Sequence, residues 1–174
     1  RYFFNPSGQK LRSGWQQSGE DVYYVHNGEC ATGWLAIGGQ WYYFNGEGVM
    51  QKGGWIKVGY TWYYLNDAGV MQTGWIKDGK TATGADRWYY TEPSGAMKTG
   101  WFKVNSRWYH FKGSGEMQTG GFKDGGVWYY LKAGGDMAQG WQKVGNTWYY
   151  LEGSGAMRTG SLQLGSDCYY IAGS

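Results

Sequence analysis

Residues 54–73 read GWIKVGYTWYYLNDAGVMQT, and related blocks of about twenty residues recur along the whole chain of 174 residues. A fixed period of this length is typical of repeat proteins, in which each unit buries its apolar face against its neighbours. We therefore expect any ligand chemistry to lie in surfaces that are made several times, rather than in one dedicated active site.

Three sequence features recur in these units: a Gly-Trp pair, a Trp-Tyr-Tyr triplet and a Gly-x-Met-x-x-Gly motif. The Gly-Trp pairs supply Trp15, Trp34, Trp55, Trp75, Trp101 and Trp141. The triplets begin at Trp41, Trp62, Trp88, Trp108, Trp128 and Trp148. The motifs contain Met50, Met71, Met97, Met117, Met137 and Met157. The regular order of the three features sets the boundaries of the units.

The repeat units begin near residues 14, 33, 54, 74, 100, 120, 140 and 160. A partial unit occupies residues 1–13, the C-terminal unit is truncated, and residues 81–86 (TATGAD) form an insert. We expect residues 1–174 to form a single repeat module. Because both ends read as cuts through an array, we also expect the module to come from a longer protein.

The composition of the chain excludes several function classes. Its 33 Gly and short apolar runs argue against helices, and no stretch approaches the ~20 apolar residues needed to cross a membrane. The net charge is only +3, with Lys and Arg spread evenly, so no basic stripe supports nucleic-acid binding. We expect neither membrane insertion nor a nucleic-acid partner.

Candidate catalytic and metal-binding residues are scarce. His26 and His110 are the only histidines, and no carboxylate pair or metal-ligand cluster recurs along the chain. We expect no enzyme activity, no cofactor and no metal site in this chain. Cys30 and Cys168 occupy apolar slots in distant units, whereas a disulfide needs Cα atoms within ~7 Å. We therefore expect no disulfide between them.

The order of residues in 55–64 predicts a β-hairpin. Alternating β-branched and aromatic residues flank a Gly-containing pair at 59–60, which is typical of a two-residue hairpin loop. Because strand side chains alternate between faces, Trp55, Trp62 and Tyr64 share one face. Ile56 and Tyr63 lie on the other face, and the following stretch NDAGVMQTG is expected to be a returning loop. The fold class predicted is an all-β solenoid of repeated hairpins.

The Trp-Trp-Tyr face carries more aromatic surface than a small core needs. Large aromatics also serve as filler between short Gly-rich units, so pure packing is one interpretation. Rings on facing hairpins could instead line a slot that suits a quaternary ammonium, which is attracted to ring quadrupoles. A neighbouring Met adds a polarizable wall. Aromatic platforms also stack on sugar rings, so carbohydrate is the rival ligand.

The sequence GWIKVGYTWYYLNDAGVMQTG resembles the choline-binding repeats of Gram-positive cell-wall and phage-lysin proteins, and the likeness covers essentially the whole chain. The resemblance implies a left-handed superhelical solenoid of hairpins. It also implies choline sites between consecutive hairpins, formed by two Trps of one unit, a Tyr of the next and a nearby Met. The ligand would be phosphocholine on teichoic or lipoteichoic acid, and the protein would be secreted to the cell surface or encoded by a phage.

The resemblance assigns the ligand-binding residues unit by unit. The expected cages are Trp34, Trp41 and Tyr64; Trp55, Trp62 and Tyr90; Trp101, Trp108 and Tyr130; and Trp141, Trp148 and Tyr170. Their matching methionines are Met50, Met71, Met117 and Met157. Trp75 and Trp88 would meet His110 instead of a Tyr. Val22, Gly121 and Cys168 each replace a Trp, so the cages around them should be weak or absent.

Two other functions stay open from the sequence. One is a module that binds polysaccharide, either glucan or a host glycan, and the other is a structural spacer. Related glucan-binding repeats usually lack the Trp directly before Tyr-Tyr, and its presence in six units here favours choline. The sequence leaves open a homodimer through the terminal repeats, and any catalytic or adhesin domain would lie outside this chain.

Overall fold

The computed structural model describes residues 2–172, and this part of the chain contains strands and turns but no helix. It therefore contains no helix long and apolar enough to cross a membrane. The strands are β1 Gly14–Ser18, β2 Asp21–His26, β3 Glu29–Cys30, β4 Gly33–Ile37, β5 Gln40–Phe44, β6 Gly54–Val58, β7 Thr61–Leu65, β8 Met71–Gln72, β9 Gly74–Lys80, β10 Asp86–Thr91, β11 Gly100–Val104, β12 Arg107–Phe111, β13 Gly120–Asp124, β14 Val127–Leu131, β15 Gly140–Val144, β16 Thr147–Leu151, β17 Gly160–Leu164 and β18 Asp167–Ile171.

Successive strands pair as antiparallel hairpins, which confirms the predicted all-β repeat fold. In the β6–β7 hairpin, Trp55 lies opposite Tyr64 and Ile56 lies opposite Tyr63, as the alternation predicts. The turn between the strands contains Gly59 with φ of +62°, a backbone conformation that glycine adopts without strain. Local turn chemistry and strand alternation therefore fix the register within each hairpin.

The segment after each hairpin is more ordered than a simple loop. After β7, residues Met71–Gln72 form the short strand β8, and Met71 pairs with Leu65 of β7. Single bridges join equivalent positions elsewhere, such as Leu131 with Met137. The returning loop expected over 66–74 therefore contains a short strand, because the backbone of Met71 and Gln72 pairs with the preceding strand.

Each returning segment also contacts the hairpin before its own. The backbone N–H of Met137 donates to the carbonyl of Trp108 at 2.8 Å, and that of Met157 donates to the carbonyl of Trp128 at 2.8 Å. The residue that follows each triplet is buried; Leu65 and Leu131, for example, have no exposed surface. A lone hairpin is marginal in water, so this burial between elements stabilises the array.

The chain divides into two compact units, and the division passes through the β9–β10 hairpin. The first unit comprises residues 2–77 and 90–97, and the second comprises 78–89 and 98–172. The extent of the module as one continuous array stays a prediction, as does its left-handed sense. Within residues 2–172, neither Cys30 nor Cys168 forms a disulfide bond.

Candidate functional site

A pocket in the first unit brings two indoles together with a phenol and a thioether. Trp34 and Trp41 come from the β4–β5 hairpin, Tyr63 comes from β7, and Met71 comes from β8. The pocket has a volume of about 330 Å³, and Ser94 lies at its edge. The ring centroids of Trp34 and Tyr63 are 4.8 Å apart at an interplanar angle of 62°. We call these four residues the first cage.

The second unit contains an equivalent pocket. Trp101 and Trp108 of β11–β12 line a pocket of about 220 Å³ with Tyr129 of β14 and with Met137. The centroids of Trp101 and Tyr129 are 4.9 Å apart at 63°. Ser154, from the loop of the hairpin after next, lines the rim. These four aromatic and Met residues form the second cage, which is therefore built from more than two consecutive repeats.

The tyrosine in each cage is the first Tyr of the following triplet, and not the second as the sequence analysis expected. Tyr64 lies on its own hairpin, 5.1 Å from Trp55, and Tyr90 lies 5.1 Å from Trp75 in the same way. The grouping of Tyr64 with Trp34 is thus corrected to Tyr63. Consecutive hairpins meet with opposite faces, so the ring that reaches the Trp pair must come from the face without its own Trps.

The other two expected tyrosines also stay on their own hairpins. Tyr130 lies opposite Gly121, and Tyr170 lies opposite Ser161 with 81% of its surface exposed. Trp141 instead contacts Tyr169, with ring centroids 5.1 Å apart. These placements follow the same correction as Tyr64.

The methionines are displaced by one unit from their expected cages. Met71 lines the first cage, where Met50 was expected, and Met137 lines the second cage, where Met117 was expected. The cause is the path of the returning segment, which for Met137 is held over the preceding hairpin by the backbone hydrogen bond to Trp108 described above. Met157 accordingly lies in a cavity with Trp128. Met137 was not among the methionines expected to line a cage.

The structure gives the ring geometry of one remaining Trp pair and the strand positions of two others. Trp141 and Trp148 lie with ring centroids 6.5 Å apart and nearly perpendicular, and the cage expected around them stays a prediction. Trp55 and Trp62 lie on β6 and β7, and Trp75 and Trp88 lie on β9 and β10. The ligand-binding groupings of those last two pairs stay predictions.

His110 lines neither the first nor the second cage. Its ring lies on its own hairpin, 5.1 Å from Trp101, and its Nδ1 is 3.2 Å from Oε1 of Gln118. It thus takes the place of the second Tyr of a triplet, whose ring contacts the first Trp of its own hairpin, as Tyr64 contacts Trp55. No cluster of His, Cys, Asp or Glu within residues 2–172 could hold a metal ion.

Charged groups lie around the second cage rather than in it. No charged side chain lines either cage pocket. Beside the second cage, Nε1–H of Trp101 donates to Oδ2 of Asp124 at 2.9 Å, and Nζ of Lys103 lies 5.9 Å from the centroid of Trp108. The position of Asp124 is taken by Val58 in the hairpin that packs on the first cage. Asp124 therefore orients an indole and adds a negative charge at the second cage only.

Replacing Asp124 with alanine should weaken cation binding at the second cage by about two- to fivefold, the effect of one exposed charge contact. The variant loses both the indole hydrogen bond and the charge, while Asp124→Asn keeps an acceptor oxygen and should lie between. The shift of the Trp101 indole N–H resonance during a ligand titration measures the affinity. Equal affinities in wild type and both variants would contradict this role of Asp124.

Gly121 lines an apolar cavity of about 190 Å³. Trp128, Tyr149, Leu151 and Met157 line it, in the arrangement that Trp108, Tyr129 and Met137 have in the second cage. The cavity lies where a Trp at position 121 would supply the second indole, so only one indole wall is present. Gly121 has no positive φ, and the nearest atom to an added Cβ is the carbonyl oxygen of Tyr129 at 4.0 Å.

Replacing Gly121 with tryptophan should therefore add one binding site to the array. The backbone conformation accepts a side chain, and the ring would enter an existing cavity rather than displace packed atoms. Calorimetric titration with ligand should give one more site than wild type. Gly121→Ala, which adds a Cβ but no ring, is the control and should leave the number of sites unchanged. An unchanged number in Gly121→Trp would contradict the two-indole requirement.

Comparison with known proteins bears on the nature of these repeats. A family model described as Choline-binding repeat matches residues 31–54, 54–99 and 98–139. A second model, for a cell wall binding repeat, matches residues 139–157. No curated protein matches the chain.

Solved structures from Streptococcus pneumoniae are similar to the chain. CbpJ from strain TIGR4 is 39% identical, with a TM-score of 0.84, over 93% of this chain and 57% of that one. Choline binding protein F, solved in the presence of a peptidoglycan analogue, is 32% identical, with a TM-score of 0.80, over 98% and 67%. The choline-binding domain of CbpL is 29% identical, with a TM-score of 0.71, over 98% and 88%. The present chain thus spans 57% of the length of CbpJ. Since the family models together cover residues 31–157, the chain belongs to the choline-binding repeat family.

Proposed function

We propose that this array attaches its protein to a choline-bearing polymer of the cell envelope, by holding choline headgroups in the aromatic cages. The repeat module binds and does not itself catalyse. The polymer we infer is teichoic or lipoteichoic acid carrying phosphocholine, and the location is the outer surface of a Gram-positive cell. A catalytic or adhesin domain outside this chain would be held at that surface.

The observation that carries the proposal is the lining of the two cages. Each consists of two indoles, one phenol and one thioether, with a single Ser hydroxyl as the polar side chain at the rim. A quaternary ammonium needs ring faces and no hydrogen-bond partner. A sugar, in contrast, needs side chains that pair with its hydroxyls, and leaving them unpaired is costly. The cage chemistry favours the methylammonium ligand over carbohydrate.

Attachment by this means depends on several weak sites. Three rings at about 1–1.5 kcal/mol each correspond to a dissociation constant of about 1 mM for one choline. A polymer that engages several cages is held much more tightly, because later contacts are intramolecular. Equivalent cages in the two units suit a ligand that is itself repetitive.

Calorimetric titration with choline, with dextran and with 3,3-dimethyl-1-butanol tests the proposal. The last compound has the shape of choline but carries carbon in place of the charged nitrogen, so it isolates the cation–ring attraction. Heat with choline alone, together with a melting temperature raised by choline through mass action, is the expected result. Binding of dextran without choline would support the polysaccharide alternative, and silence with all three would support the spacer.

A further inference from the structure

The insert at residues 81–86 builds a cleft that differs in character from the cages. It has a volume of about 690 Å³ and lies within the second unit. The insert forms one side, the segment around Lys112–Thr119 forms another, and Trp88 and Met117 supply an apolar part. Whereas no charged side chain lines the first or second cage, five line this insert cleft. The cleft therefore suits a ligand with both an apolar and an ionic part.

The side chains that line the insert cleft include three cations and two carboxylates. Lys80 pairs with Asp86, and Lys112 pairs with Glu116 at 3.1 Å. The fifth charged residue is Arg87, whose Nε atom is buried without a hydrogen-bond partner among residues 2–172. Because this Nε is buried, a ligand acceptor would have to reach Arg87 through its Nη atoms, which carry the other donors of the guanidinium.

The backbone beneath Arg87 is shaped to hold its guanidinium. Gly79 has a φ of +75°, and a Cβ added there would collide with the Nη2 atom of Arg87. The guanidinium therefore packs against the backbone of Gly79, where a side chain would displace it. Burial raises the pKa of the neighbouring Tyr89 hydroxyl, and Glu116 and Asp78 raise it further, against the opposing effects of Arg87 and Lys112. Tyr89 thus stays a neutral hydroxyl near Arg87.

We propose that the insert cleft binds the phosphate of a phosphocholine group, with Arg87 on the phosphate and the ring of Trp88 on the methylammonium. A guanidinium presents a flat fork of donors that matches phosphate oxygens, and such charge-assisted bonds are stronger than neutral ones. Lys112 also lines the cleft, where its charge is paired with that of Glu116. This inference rests on the proposed choline function and extends it, since this cleft would bind the phosphate of the ligand in addition to its ammonium group.

Two resonances of phosphocholine test the inference separately from the function on which it rests. Broadening of the trimethylammonium proton signal reports binding at any cage, while the ³¹P shift reports contact with the phosphate. We expect wild type to show a saturable ³¹P shift at about three- to tenfold lower concentration than Arg87→Gln, as the net contribution of one solvent-exposed hydrogen bond suggests. The methyl broadening should be nearly the same in both proteins, because the other cages are untouched.

Arg158 provides a matched control within the chain. Its Nε is also buried without a partner among residues 2–172, but its Nη atoms donate to Glu152 at 2.8 Å and to the carbonyl of Ser161 at 2.7 Å. Arg158→Gln removes the same charge from a guanidinium that is already engaged, and should leave the ³¹P titration as in wild type. Arg87→Lys, which keeps the charge but loses the planar fork, should fall between wild type and Arg87→Gln.

Three outcomes distinguish failure of the phosphate site from failure of the choline function. A ³¹P titration that is the same in wild type and Arg87→Gln, with methyl broadening present in both, would overturn the phosphate site and leave the choline function standing. Inorganic phosphate that titrates as strongly as phosphocholine would overturn the joint role of Arg87 and Trp88. Loss of methyl broadening from every protein, wild type included, would overturn the choline function itself, and the inference with it.

Discussion

Replacing Trp41 with alanine is expected to remove one choline site while the array stays folded. Trp41 is 48% exposed, so its ring contributes little to the core and faces the pocket of the first cage. A ring that faces an ammonium contributes about 0.5–2 kcal/mol, so the loss weakens that site by about 2- to 30-fold. At the upper end of this range, a site that is already near millimolar falls below detection. A calorimetric titration with choline should therefore count one site fewer.

Tyr60 supplies the control for this result. It is fully exposed at the tip of the β6–β7 hairpin and lines no cage, yet it is also an aromatic residue of the first unit. Tyr60→Ala should leave both the number of choline sites and the melting temperature unchanged. If Trp41→Ala binds choline with the same stoichiometry as wild type and Tyr60→Ala, the indole walls of the first cage have no role in binding.

The second large effect concerns Gly155, which couples the stability of the array to the shape of a cage. Gly155 has a φ of +82°, and a Cβ there would overlap the sulfur of Met137, a residue of the second cage. Gly155→Ala should destabilise the protein by about 1–3 kcal/mol, since a non-glycine residue in this conformation is strained. Met137 would also be pushed from its place, so choline binding at the second cage should weaken.

Gly153 in the same loop is the matched control. Its φ is not positive, and nothing lies within 4 Å of an added Cβ. Gly153→Ala should be neutral, or stabilising by up to about 1 kcal/mol through a less flexible unfolded chain. Urea unfolding measures the difference between the two variants. Equal stability of Gly155→Ala and Gly153→Ala would show that the Met–Gly contact does not constrain the stack.

The hairpins could be predicted from sequence because their determinants are local. The two-residue loop at 59–60 and the alternation of 55–64 specify which side chains share a face, and the pairing of Trp55 with Tyr64 follows. The Trp pair of each cage lies on one hairpin, so Trp34 with Trp41, and Trp101 with Trp108, were also correctly grouped. The choice of cation over sugar as ligand rested on these same residues.

The partner residues could not be predicted, because they depend on how one hairpin is placed on the next. Tyr63 and Tyr64 are adjacent in sequence and point to opposite faces, so choosing between them requires the stacking direction. The path that carries Met71 and Met137 back over the preceding hairpin depends on long-range backbone contacts such as that between Met137 and Trp108. One signal was available: hairpins stacked in the same orientation must meet with unlike faces, which favours the Tyr on the face without Trps.

A crystal structure of the array soaked with choline tests the central claim most directly. The account predicts that the methylammonium head lies within about 6 Å of the ring centroids of Trp34, Trp41 and Tyr63, with Met71 in contact, and likewise in the second cage. Choline bound beside Tyr64 instead, or first and second cages that stay empty at saturating choline, would contradict it.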